Sequence, residues 1–88
     1  MNKKEDKIYR EIFSILCEHC GDKEISDNMS ILKDLKLDSI EIISLILEIE
    51  KKYEITFVEY DKLFEAIDSV QAFIMYFVRI VLDNREEK

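Results

Sequence analysis

The chain contains a single glycine, Gly21, and no proline. Glycine and proline supply most of the backbone geometries that tight turns require. A β-sandwich or barrel needs such turns at every strand end. Both architectures are therefore excluded, and the sequence points to helices joined by few connections. A hydrophobic fraction of 48% beside a charged fraction of 38% suits a compact chain and is too apolar for a disordered one. With 88 residues there is room for one small domain spanning 1–88. A domain of this size buries only about 60% of its unfolded surface, so its core must pack efficiently.

Apolar periodicity places the helices. Ile8, Ile12, Ile15, Leu16 and His19 recur at helical spacing over Lys3–His19, and Gly21 follows as a left-handed stop. Residues 22–38 have no clean period and read as a long loop with a single turn at Ile31–Leu35; loops of this length in small domains tend to serve function. Asp38 suits an N-cap with Glu41 three residues on, a capping-box-like pair, and a second helix runs from there to about Tyr53. Tyr53–Tyr60 alternates like a strand but has no second strand to pair with, so it is expected to be an extended connector anchored by Ile55 and Phe57. A short helical turn is expected around Asp61–Ile67. Asp68 or Ser69 then caps a last helix whose stripe is Val70, Phe73, Ile74, Phe77 and Val81. The ordered core is expected over about 5–82, with 83–88 a tail that frays from Arg85 onward. Met75, Tyr76 and Val78 give the last helix an apolar excess that fits either packing against the connector or a weak dimer contact.

The second helix has more apolar surface than one core needs. At about 100° per residue, Ile42, Leu45, Ile46, Ile49 and Tyr53 fall on one side as the core stripe. Ile43, Leu47 and Ile40 project at about 100°, 140° and 160° from it, with Lys51 and Ser44 beside them and Glu48 and Glu41 further round. This second stripe is either covered by the first helix and the loop, or it is a docking face with an apolar centre and a polar rim. Ser39 stands in the first turn of the same helix. Small polar residues are common there, but a phosphate ester at that position would also meet free backbone N–H groups and the positive end of the helix dipole.

The net charge of −7 is confined to the middle of the chain. Residues 22–68 hold 13 acidic and 6 basic side chains, while both flanking segments are neutral. Phosphate binding needs a basic patch, so nucleic acid is not the expected partner. An acidic centre favours docking to basic protein surfaces. The opening MNKKEDKIYREIF is charged where a secretory signal would be apolar, and the longest apolar run, Ala72 to Val78, is too short to cross a bilayer. A cytoplasmic protein with reduced cysteines and no membrane insertion is expected.

Other motifs fail on chemistry. Cys17-Glu18-His19-Cys20 has no second Cys/His cluster to complete a zinc site. It ends a helix, where the dipole opposes thiolate formation, so Cys17 and Cys20 are expected to be small buried residues. An EF-hand over Asp22–Lys33 would place Asp27 at the glycine position and Lys33 at the glutamate position. A Ser39–His19–acid hydrolase would need a pocket that so small a helical domain seldom has. No catalytic or metal-binding role is assigned.

Leu32–Ile55 resembles the acyl carrier protein family, whose D-S-L-type motif stands here as Asp38-Ser39-Ile40 after Asp34-Leu35 at the usual spacing. The likeness extends to the turn before the motif, to Leu45, Ile49 and Tyr53, and to Asp68-Ser69-Val70-Gln71, covering about residues 5–82. The resemblance implies an all-α four-helix bundle with three main helices, a short third helix and a long first loop. It implies a carrier and not an enzyme. A phosphopantetheinyl transferase would attach 4′-phosphopantetheine to Ser39, with Asp38 helping to position the transferase's metal–phosphate chemistry. Ile40, Glu41, Ile43, Leu47 and Glu48 would form the partner-docking face. The arm would hold acyl groups as thioesters for loading and condensing enzymes with basic docking surfaces, in fatty acid or specialised polyketide or lipid biosynthesis. An aminoacyl or peptidyl carrier is the neighbouring alternative, and an unmodified helical interaction module is the rival from another class. A monomer is expected. The family's usual glycine two residues before the motif aspartate is Lys36 here, Ser44 replaces one carboxylate, and Lys51 and Lys52 stand where such carriers are usually acidic.

Overall fold

Each helix begins at a side chain that takes up backbone N–H groups the helix itself leaves unpaired. In the computed structural model, which describes residues 2–21, 24–56, 63 and 69–86, helix α1 spans Lys3–Cys20, α2 Ser39–Tyr53 and α3 Val70–Glu86. The Asn2 side chain accepts from Glu5 N–H at 2.8 Å and donates back to the Glu5 carboxylate at 3.1 Å. Ser69 is the cap of α3, its Oγ accepting from Ala72 N–H at 3.0 Å. Gly21 ends α1 at φ 67° and ψ −124°, so its φ is positive but it does not take the left-handed helical conformation expected of the stop. The last helix continues to Glu86, beyond the point where a tail was expected.

The helices form an all-α bundle in which α1 packs against both α2 and α3. Among the described residues every buried side chain is hydrophobic. Ile8, Ile12, Ile15 and Leu16 of α1 meet Ile42, Leu45, Ile46 and Ile49 of α2 and the Phe73–Phe77 pair of α3, whose rings stand edge to face at 5.1 Å. Burying each such side chain stabilises the fold by about 1.5–3 kcal/mol. Two members of the expected stripes sit at the rim instead. His19 keeps 22% of its side chain exposed, and Tyr53 is half-buried with its hydroxyl donating to Glu11 Oε1 at 3.0 Å. Both carry polar atoms that need a partner, and the edge of the core provides one. Ile55 is buried as anticipated; Phe57 and the turn expected at 61–67 lie outside the described residues, apart from Leu63, which is buried.

The loop between α1 and α2 is ordered by its own hydrogen bonds. Ser30 Oγ accepts from Lys33 N–H at 3.1 Å, and the Asp34 carboxylate accepts from Ser30 N–H at 2.7 Å. Asp34 and Leu35 N–H both reach the Ser30 carbonyl, closing the single turn that the sequence suggested. That turn buries Ile31 and Leu35, and Leu37 follows them into the core. The loop is also fastened to α3: Val70 N–H donates to the Met29 carbonyl at 2.8 Å and Gln71 N–H to the Asp27 carbonyl at 2.9 Å.

Tyr9 on α1 completes this fastening by donating its hydroxyl to the Asp27 carboxylate. Burial, the hydrogen bond and the Asp27 charge, in that order, hold the Tyr9 phenol well above its usual ionisation range. Because the folded chain favours the protonated phenol, the contact contributes fully below the unfolded tyrosine pKa of about 10 and is lost as pH rises above it. Tyr9→Phe is therefore expected to cost about 1 kcal/mol at neutral pH. In urea titrations the gap between wild type and variant should hold up to about pH 9 and close between about pH 10 and pH 11; a gap that stays constant would refute the assignment.

Candidate functional site

Asp38 and Ser39 occupy the cap and the first residue of α2. Asp38 Oδ1 accepts from Glu41 N–H at 2.8 Å, and the Asp38 carbonyl accepts from Ile42 N–H at 3.0 Å. The N–H groups of Ser39 and Ile40 are left without a partner in the helix, at the positive end of its dipole. Ser39 itself is exposed. The site is thus an open hydroxyl at a helix start, beside a carboxylate already committed to the cap.

Lys36, two residues before the cap, has φ 55°. The left-handed backbone at this point lies between two buried leucines, Leu35 and Leu37, and sends the exposed Lys36 outward. A residue with a Cβ is disfavoured in this region by about 1–2 kcal/mol, which gives a physical reason for glycine at the position. The effect of the lysine is local strain in the approach to Ser39. At the other end of α2, Glu54 adopts φ 54° and ψ 43°, and the Glu54 and Ile55 N–H groups both close onto the Glu50 carbonyl. Here a non-glycine residue serves as the left-handed helix stop.

The second stripe of α2 is uncovered. Ile40 is 78% exposed, Ile43 41% and Leu47 56%, so neither α1 nor the loop shields it. Leu32 in the loop turn, 51% exposed, is a further surface apolar residue that the periodicity search missed. Glu41 is exposed beside the stripe. Glu48 is not a free rim carboxylate, because His19 Nε2 of α1 lies 2.7 Å from its Oε2. That pair sits nine residues, about 13 Å, along α2 from Ser39. The histidine therefore braces two helices and does not face the serine.

A shallow groove of about 470 Å³ beside the His19–Glu48 pair is lined by Ile15, Glu18, Glu48, Lys51 and Lys52. A second of about the same size is lined by Asp6, Tyr9, Arg10, Phe13, Ser14 and Asp27. Neither includes Ser39. Cys17 and Cys20 are not joined in a disulfide and are half-buried, where burial was expected; they stand at the end of α1. Among the described residues no group of three or more metal-ligating side chains converges, and no helix is long and apolar enough to cross a membrane.

Residues 10–76 match the family model described as the phosphopantetheine attachment site. The acyl carrier protein of Buchnera aphidicola subsp. Schizaphis graminum (strain Sg) is 34% identical over 88 residues, spanning 100% of both chains. No solved structure matches the chain significantly.

Two substitutions test the geometry. Lys36→Gly is expected to raise stability by up to about 1 kcal/mol by relieving the left-handed backbone, and a lower urea midpoint would contradict that. Leu47→Asp should keep the helical circular dichroism and cost no more than about 1 kcal/mol, whereas Ile46→Ala should cost about 2–5 kcal/mol. Equal losses for the two would mean that the stripe is core.

Proposed function

Because the chain belongs to the acyl carrier protein family, we propose that Ser39 is the residue on which its 4′-phosphopantetheine arm is carried as a phosphodiester. The observation that carries this reading is an exposed serine at the first position of α2, within the segment matched by the family model. Attachment joins Ser39 Oγ to the phosphorus bearing the pantetheine of coenzyme A. The pyrophosphate bond breaks, adenosine 3′,5′-bisphosphate leaves, and the serine proton is lost. The residues present suit the product. The unpaired N–H groups of Ser39 and Ile40 and the dipole of α2 favour a phosphodiester charge at this place. The Asp38 carboxylate is a nearby like charge, partly offset by its bond to Glu41 N–H. Asp38 is assigned to the transferase's metal–phosphate chemistry as well as to the cap. The arm supplies a terminal thiol on which acyl groups are held as thioesters.

Ile40, Ile43 and Leu47, with Glu41 and Glu48 at their side, are assigned to partner docking. Their exposure supports this, since a helix that needed only a core would have no second apolar stripe. The partners are a phosphopantetheinyl transferase and acyl-loading and condensing enzymes whose surfaces are basic opposite Glu41. We read residues 1–88 as one domain acting as a monomer in the cytoplasm, with a short third helix near 61–67 completing a four-helix bundle.

Intact mass spectrometry after incubation with coenzyme A and a broad-specificity transferase tests the assignment. One phosphopantetheine is expected per chain, and none on Ser39→Ala. An unchanged mass, or an increase that survives the substitution, overturns it, and an unmodified interaction module would then be the better description.

A further inference from the structure

The exposed stripe of α2 does not end on a hydrophobic residue. At 100° per residue, Ile43, Leu47, Ile40 and Lys51 fall within about 80° of one another, while Glu41 and Glu48 lie to one flank. Lys51 therefore continues the stripe about 6 Å beyond Leu47 and about 18 Å from Ser39. It is exposed, and among the described residues it makes no ion pair. Its natural neutraliser would be Glu48, three residues back on the same helix. That carboxylate is instead turned to His19 of α1 at 2.7 Å. The face thus runs from carboxylates at Asp38 and Glu41, through an apolar centre, to a cation that makes no ion pair among the described residues, although Glu18 and Glu48 line the groove beside it.

We propose that Lys51 is a specificity-determining residue of this face. It selects partner proteins that present a basic side chain opposite the Ser39 end of α2 and an acidic one opposite the Tyr53 end. The inference rests on the carrier reading above. A partner that is basic along its whole length is attracted at Glu41 and repelled at Lys51. Charge placement of this kind acts on discrimination between partners more than on total affinity. Over a contact of a few ångströms it is only partly screened, since the Debye length is about 8–10 Å at ordinary salt.

The test uses a phosphopantetheinyl transferase with a uniformly basic docking surface as the probe, at low salt. KM and kcat for loading are compared for wild type, Lys51→Glu, Lys51→Met and, as a control on another helix, Arg79→Glu. Lys51→Glu is expected to lower KM about three- to tenfold with kcat unchanged, Lys51→Met to do so less, and Arg79→Glu to leave it unaltered. Lys51→Met carries the comparison should a glutamate near the helix C-terminus weaken the fold. The transferase's docking cations are then changed singly to glutamate. One of these changes should invert the order, so that wild type is preferred to Lys51→Glu. KM values that follow Arg79→Glu, or no transferase variant that inverts the order, would overturn the proposal. A chain that is never loaded at any concentration would instead remove the carrier reading on which it stands.

Discussion

Two backbone hydrogen bonds govern where the loop between α1 and α2 can lie. The first turn of α3 has N–H groups with no partner in their own helix, and the carbonyls of Asp27 and Met29 accept from two of them. With the loop fastened there, Ile31, Leu35 and Leu37 reach the core, and Tyr9 holds Asp27 from the α1 side. The chain then enters α2 with Asp38 at the cap and Ser39 exposed. A segment of this length without proline would otherwise have many conformations to lose on folding. Satisfying the end of one helix with the loop that precedes another orders the loop and positions the serine together.

What was legible in the sequence follows from what local rules govern. The stripes of α1, α2 and α3 were visible because an apolar residue every three to four positions has one structural use. The cap at Asp38 and the turn at Ile31–Leu35 were visible because short polar side chains bond to nearby backbone. The His19–Glu48 pair was not, because it joins residues 29 apart whose meeting depends on how two helices cross. The same holds for Tyr9 and Asp27. Nor could periodicity decide whether Ile40, Ile43 and Leu47 were covered: that depends on where the neighbouring segments pass. Lys36 shows the limit from the other side. Its departure from glycine was plain, but the left-handed backbone that explains the family's choice appears only in the fold.

Helix α2 presents two apolar faces built from separate residues. Ile42, Leu45, Ile46 and Ile49 are buried, and changes there act on stability. Ile40, Ile43 and Leu47 contribute little to the fold and are open to act on association. Under the docking role proposed for the outer face, the separation would let the core stay constant while that face met different surfaces. It also shows why the His19–Glu48 pair matters beyond bracing. A carboxylate hydrogen-bonded toward α1 makes no ion pair with the lysine three residues on, so a contact between helices contributes to how charge is arranged on the face. The chain's acidity alone would suggest a uniformly basic partner. Under the proposed docking role, its distribution along α2 calls for a partner with a polarity, in which the end nearest Ser39 and the end nearest Tyr53 would be recognised by opposite charges.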